Sequence, residues 1–570
     1  MTESRPADGR LSIVVLILAL AFLGFVLRSY HLQVAVADEH LARGDWRVRS
    51  SVTVSAPRGS ILDRNGRVLA ADVELRDVFI DPRHIMMHER EHLQEVRAIL
   101  SELDDFDAER FEQWRAQPVE SLPRYVVIAR GLSPRDGDEL LRPLRDGRIR
   151  GVGLTPSHQR VYPLGALAAP VIGFVNREHA GGAGLEGRLH SRLAGGEVEV
   201  PLRVNQFRVS IMDGILPEAN AARGDSVTLT LDADMQSVAE ESLAHALEYF
   251  EASAGTVVAM DPRTGAILAI ASLPSNDPVD FNGGPESQWL HRAVAHVYEP
   301  GSTAKVFTFA AALEERAVGY NTTFDCNNGV YIIAGRVKRD HYCHDTITAW
   351  EVIRDSSNIG AIGMSLRLED DVMAEHLRAF GFGERLGIDL PGESAGIFPA
   401  LPWRRSTQQT VSYGYGIGVT PLQLTTATAT LANGGVRMDP YLVSEIRSGQ
   451  GDVLETFEPR EVERAVSERA ARLTARAMET VTTEDGTASA AAIPGFSVAG
   501  KTGTAFLVSP NGGYTDDYLS AFTGFVPAED PVIAISVIVE RPNPDIGFYG
   551  GAVAAPVFRD VAIEALVREG

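Results

Sequence analysis

The apolar pattern divides the chain into regions of different texture. Leu11 to Leu27 is a 17-residue apolar run relieved only by Ser12 and Gly24 and bounded by Arg10 and Arg28, at the short end of what spans a bilayer. From about residue 40 to 225 short apolar runs alternate with Arg, Asp and Gly, as expected of an irregular domain, and residues 84–147 within it read as a more helical, charged insertion. From Ser226 the pattern changes. Gly255 to Asp261 and Ala266 to Leu273 are apolar stretches about a turn at Pro262–Gly265, which predicts a strand hairpin. Leu519 to Val526 and Val532 to Glu540 repeat that form around Pro527–Pro531, and Val553 to Val567 predicts a closing helix. Between them, Glu299-Pro300-Gly301 breaks the backbone ahead of Val306 to Leu313, a buried helix by pattern, and Val498 to Ala505 reads as a strand. Strands from both ends flanking a helical middle predict an α+β layer plan with one antiparallel sheet.

Composition narrows the setting. The net charge of −23 argues against nucleic acid and against broad adhesion to anionic lipid. Arg5 and Arg10 on a ten-residue N-terminus favour keeping that end cytoplasmic and exporting the rest. The small-x-small triplet Ala35-Val36-Ala37 raises a cleaved signal peptide as the competitor. The run is longer than a usual signal core and Arg28 with His31 separates it from that triplet, so an uncleaved anchor is expected. No cysteine lies close behind the run, which excludes a lipoprotein anchor.

Three lysines, at 305, 338 and 501, stand against fifty arginines. Arginine cannot give up its proton near neutrality, whereas a buried lysine can. Two of the three lie in short patterns, Ser302-Thr303-Ala304-Lys305 and Lys501-Thr502-Gly503-Thr504, with Ser356-Ser357-Asn358 between them. Ser302 in a first helical turn sits near unpaired N–H groups and the positive dipole end. Lys305, three residues on, shares its face. In a dry cleft beside another cation its amine would be neutral and could take the serine proton. Gly500 and Gly503 leave the strand of Lys501 bare enough for a peptide to pair with it. Alone, Ser302 reads as a helix cap, Ser356 to Asn358 as a polar turn and Lys501-Thr502-Gly503 as a strand end; the ordered series is what carries the chemistry. Lys338 has no such context.

The trio S-x-x-K, S-x-N and K-T-G is that of serine penicillin-binding proteins and their β-lactamase relatives. The resemblance is to class B penicillin-binding proteins, most to the division-specific type, and runs from about residue 50 to the C-terminus. It is carried also by Glu299-Pro300-Gly301-Ser302-Thr303, by Gly418-Val419-Thr420-Pro421-Leu422-Gln423, by Arg58-Gly59-Ser60-Ile61-Leu62-Asp63-Arg64-Asn65-Gly66, by Arg160-Val161-Tyr162-Pro163, by Gly184-Leu185-Glu186 and by Leu231-Asp232 with Gln236. Read without the family, Asn65-Gly66 is a hairpin turn. The resemblance implies a cytoplasmic tail at 1–10, a membrane helix at 11–27, a non-catalytic pedestal at 28–225 and a transpeptidase domain at 226–570. It implies Ser302 as nucleophile, Lys305 as base, Ser356 and Lys501 as proton relay, and Asn358 as holder of Lys305 and the substrate amide. It places the N–H groups of Ser302 and Thr504 in an oxyanion hole and the hydroxyls of Thr502 and Thr504, around Gly503, on the substrate carboxylate. No metal or organic cofactor is implied. Expected partners are D-Ala-D-Ala stem peptides, β-lactams, and a membrane glycan polymerase of the shape, elongation, division and sporulation family with other division proteins. Elongation and sporulation roles, a D,D-carboxypeptidase or β-lactamase activity, and an idle scaffold or β-lactam sensor are the competing readings.

Cys326 and Cys343 are the only cysteines. In an exported domain they suggest a disulfide, contributing about 3 kcal/mol in the chain-entropy picture; sporulation-type relatives place cysteines in this region, and two free thiols are the alternative. His341, Cys343 and His344 lack the second ligand pair a zinc site needs.

Overall fold

The computed structural model describes residues 7–31, 49–103, 106, 108–123, 125–176, 178–204, 210–211, 222–333, 335–340, 345–509 and 512–569. By contact density the chain falls into two compact units, one of residues 1–56, 74–159 and 196–222, the other of residues 57–73, 160–195 and 223–570.

The smaller unit includes the N-terminal helix Ala7–Tyr30. Its segment Ser12–Tyr30 has a mean hydropathy of 2.4, and it is long and apolar enough to cross a membrane. Strand Arg49–Ser55 pairs antiparallel with Glu197–Val204. The predicted helical insertion holds helices Pro82–His88, Leu93–Leu100, Ala108–Arg115 and Pro134–Asp146. Asp81 and Ser133 cap the first and last of these, each accepting from the backbone N–H of the helix's third residue. The insertion also contains strand Val126–Leu132, paired with the end of Val68–Ile80. Val78, Ile80, Val96, Leu100, Phe111 and Trp114 are among the side chains of a separate apolar core.

The larger unit is built on five strands, β1 (Ala254–Met260), β2 (Ile267–Leu273), β3 (Ala499–Val508), β4 (Tyr514–Val526) and β5 (Ile533–Glu540), in the order β2-β1-β5-β4-β3 with every neighbour antiparallel. All residues of β1 and β5 are buried. Successive side chains point to opposite faces, so both faces of the sheet must be covered. Helices α1 (Ala233–Tyr249), α4 (Pro421–Ala432) and α6 (Ala555–Glu569) cover it, with α2 (Lys305–Glu314), α3 (Asn358–Ser365) and α5 (Glu468–Glu479) making a helical region beside it. The α+β plan read from the sequence is what the structure has.

Local chemistry starts these helices where they start. Asp232 accepts from the N–H groups of Asp234 and Met235 to open α1, and Thr420 with Gln423 forms a capping box ahead of Pro421. Helix α4 is buried along nearly its whole length although rich in threonine; Thr425, Thr428 and Thr430 return their hydroxyls to carbonyls four residues back, which satisfies them inside the core.

Candidate active site

Gly301 has φ +55°, and the backbone then makes a short 3-10 turn, Gly301–Ala304, that runs into α2. A side chain at Gly301 would need a left-handed backbone, and its Cβ would touch Thr504 O and Ala505. The turn therefore lies directly against β3. From the other side, a Cβ on Gly503 would come within 3.0 Å of Thr303 Cγ2 and 3.1 Å of Pro300 O. The two glycines let the S-x-x-K turn and the K-T-G strand close on each other. Strand β3 is the sheet's edge and, among the described residues, pairs with no strand but β4, so its other edge is available to an extended peptide.

Ser302 is half-buried, while Lys305 behind it is 1% exposed. Nζ of Lys305 lies 2.9 Å from Oγ of Ser302 and 3.2 Å from Oγ of Ser356, and it also contacts the Ser356 carbonyl oxygen. Ser356 reaches it from a left-handed backbone, φ +60°, a conformation costing roughly 1–3 kcal/mol for a residue with a Cβ. That turn presents both the hydroxyl and the carbonyl of one residue to the same amine. Burial lowers the Lys305 pKa to about 7, with the charge of Asp340 opposing the shift. Lys501 is also fully buried and its pKa is well below the usual lysine range, through burial first and the positive charge of Lys305 second. Two such amines do not both stay protonated near neutrality.

The structure thus gathers Ser302, Lys305 and Ser356 into one hydrogen-bonded cluster. Lys501 is not part of that cluster: its Nζ hydrogen bonds are to Thr502 O and Oγ1, both at 3.3 Å. Among the described residues no hydrogen bond joins it to Ser356, and none joins Asn358 to Lys305. Asn358 is half-buried at the first position of α3. The Thr502 hydroxyl is 2.9 Å from that of Thr487, and the Thr504 hydroxyl accepts from Gly550 N at 3.3 Å.

Sequence reading missed Asp340. Its Oδ2 accepts from the Ser357 hydroxyl at 2.6 Å and from Ile359 N at 3.1 Å, holding the S-x-N turn and the start of α3. An acid seventeen positions upstream of Ser357 has no local signature; only the hairpin of Val330–Ile333 with Arg336–Arg339 brings it there. Cys326, beside that hairpin, is buried and disulfide-bonded; Cys343, with His341 and His344, lies outside the described residues. Among the described residues no cluster of His, Cys, Asp or Glu is arranged to hold a metal ion.

The upstream motifs meet in the same larger unit. Read as segments unlike a core, they hold charges that are in fact buried: Arg58, Asp63, Arg160 and Glu186 are each at most 8% exposed. Glu186 Oε2 accepts from Arg58 at 2.7 and 3.1 Å, and its Oε1 accepts from Arg160 Nε at 2.6 Å. Asp72 accepts from Arg58 N at 2.7 Å and from Arg160 at 3.1 Å, and Gly59 O accepts from Arg160 at 2.9 Å. Two arginines and two carboxylates thus close a charge-balanced knot. Gly59 and Gly184 are required by contact, since a Cβ on either would lie within 2.5 Å of backbone atoms. Gly66, φ +80°, makes the expected hairpin turn, in which Asp63 Oδ1 accepts from Asn65 N and Arg67 N. Arg64 is exposed, beside a cavity of about 240 Å³ that Asn65, Asp232 and Arg568 also line.

Residues 255–562 match the family model of the penicillin binding protein transpeptidase domain, and residues 53–207 that of the penicillin-binding protein dimerisation domain. The chain is 33% identical over 569 residues to PenA of Neisseria meningitidis, covering 98% of this chain and 92% of that one. It is 31% identical over 551 residues to the peptidoglycan D,D-transpeptidase FtsI of Escherichia coli, covering 95% and 88%. Among solved structures, penicillin binding protein 3 of Mycobacterium tuberculosis, in complex with aztreonam, superposes with a TM-score of 0.69 at 27% identity, covering 91% of this chain and 97% of that one. With a buried lysine poised on Ser302 and both domain families matched in order, the chain belongs to the class B penicillin-binding proteins and is a serine-type transpeptidase.

Proposed function

We propose that the enzyme cross-links peptidoglycan stem peptides in septal wall synthesis, through an acyl-enzyme on Ser302. The observation that carries this reading is the buried Lys305 amine, its pKa lowered to about 7, 2.9 Å from the Ser302 hydroxyl. Oγ of Ser302 attacks the carbonyl carbon of the penultimate D-Ala as its proton passes to Lys305. The tetrahedral oxyanion is held by the N–H groups of Ser302 and Thr504, which contribute several kcal/mol when preorganised. Collapse breaks the C–N bond, and the proton reaches the departing D-Ala amine through the Ser356 hydroxyl, with Lys501 fixing the charge of the pair. An amine from a second stem then attacks the ester, gives its proton to the same relay and releases Ser302. Thr502 and Thr504 hydroxyls bind the terminal carboxylate, and Asn358 holds the substrate amide. A β-lactam enters by the first half of this path and stays on Ser302. No metal or organic cofactor has a role in these steps.

The test is the product. Purified enzyme given a D-Ala-D-Ala donor and an amine acceptor should release D-Ala and form the cross-linked peptide in about equal amounts. Free shortened donor as the main product would make it a carboxypeptidase.

Residues 1–10 are assigned to the cytoplasm, 11–27 to the membrane, 28–225 to the pedestal and 226–570 to the transpeptidase on the far side. A cross-linking enzyme needs fresh glycan strands at its cleft, and a membrane polymerase of the shape, elongation, division and sporulation family is proposed as the partner that supplies them. Arg64, exposed on the first upstream motif, is a contact suited to it. Replacing Leu11–Leu27 by an unrelated spanning helix, and separately Arg64→Ala, should lower co-purification with the polymerase and displace a fluorescent fusion from the septum while penicillin binding persists. Unchanged association and placement in both variants would reduce the pedestal to a spacer.

A further inference from the structure

Three residues before the nucleophile, Glu299 presents a partly buried carboxylate that pairs with no cation among the described residues. Its Oε1 accepts from Gly416 N at 2.7 Å. Its Oε2 is buried, and the Tyr514 hydroxyl donates a hydrogen bond to the carboxylate. A carboxylate taken out of water is costly unless a cation meets its charge. What surrounds it is aromatic. Tyr415 packs on Tyr413 at 5.6 Å between ring centroids and on Tyr514 at 5.9 Å, edge to face. Glu299 acts on all three phenols: their pKa values are raised, by burial first, and the charge of Glu299 adds to each shift. A carboxylate beside electron-rich rings is the chemistry that selects an ammonium group.

The position of this cluster says which ammonium. Tyr415 hydrogen-bonds to the backbone of Phe506, two residues beyond Thr504 on the open strand β3. A donor lying extended on β3, carboxylate at Thr502 and Thr504, advances about 3.3 Å per residue. The residue preceding D-Ala-D-Ala therefore falls near Phe506. Cross-linking requires an amine on the acceptor stem, and donor and acceptor stems are the same kind of molecule, so the donor carries that amine too. We propose that Glu299, flanked by Tyr415 and Tyr514, forms a subsite for the side-chain ammonium of the donor residue that precedes D-Ala-D-Ala. The proposal rests on the donor reading given above.

Three synthetic donors test it, identical except for lysine, Nε-acetyl-lysine or norleucine before D-Ala-D-Ala, with acylation of Ser302 read as kcat/KM. The wild-type enzyme should favour lysine over both neutral residues by about tenfold or more, the size of a charge-assisted hydrogen bond at a buried site. In Glu299→Gln, which keeps the Oε1 acceptor for Gly416, the lysine-to-norleucine ratio should fall to within about twofold of one. The ratio is internal to each enzyme, so a general loss of activity does not mimic this result. A wild-type ratio near one, or a ratio undiminished in Glu299→Gln, would overturn the subsite. Should Glu299→Gln fail to fold, the acetyl-lysine donor decides on the wild-type enzyme: it must behave as norleucine does. Failure of every donor and of penicillin to acylate Ser302 would instead remove the donor reading itself.

Discussion

Lys305→Arg is expected to abolish acylation of Ser302, a loss on the order of 10³-fold in rate, the scale of a general base. The substitution keeps charge and nearly keeps length, yet a guanidinium has no lone pair to offer at neutral pH. It would also place a permanent cation where burial now holds the amine pKa at about 7. The same amine fixes the sign of the pH profile in the wild type. Only its neutral form accepts the serine proton, so acylation should rise with pH through about 7. Below that it should fall roughly tenfold per unit as the amine protonates. The second-order rate constant with a fluorescent penicillin measures both effects. Near-normal acylation in Lys305→Arg, or a flat profile between about pH 5 and about pH 9, would assign the base to another group. Lys338→Arg serves as the internal control.

The second large effect is on stability. Glu186→Ala leaves Arg58 and Arg160 buried without the carboxylate that bridges them, and an uncompensated buried charge costs about 3–5 kcal/mol. Thermal unfolding of the variant should begin several degrees lower, with acylation lost in parallel as the larger unit opens. The comparison is Arg135→Ala, whose partner Glu139 is an exposed neighbour one turn away; such pairs contribute at most about 1 kcal/mol. Equal, small shifts in both variants would mean that water reaches the Arg58–Glu186–Arg160 knot.

Residues whose work depends on near neighbours were legible in the sequence. Ser302 and Lys305 are brought together by one helical turn, and Gly66 by a two-residue hairpin, so spacing alone placed them. The β1–β2 and β4–β5 hairpins followed from apolar runs about Pro- and Gly-containing turns. Residues whose work depends on distant partners were not legible. Asp340 meets Ser357 only because a separate hairpin returns it there, and the left-handed turn at Ser356 is imposed by tertiary contacts on an ordinary serine. Arg58, Arg160 and Glu186 read as surface charges because pattern rules count an isolated charge as solvated; they are buried because three distant segments neutralise one another. Strand Val126–Leu132 was lost in a stretch whose flanks are helical, since short apolar runs are ambiguous between helix and strand.

The most direct measurement is the intact mass of the protein after exposure to penicillin, followed by peptide mapping. A single covalent adduct on Ser302 is expected, absent from a folded Ser302→Ala variant. An adduct that persists in Ser302→Ala, or that maps to any other residue, would contradict the assignment of the nucleophile and the cluster built around it.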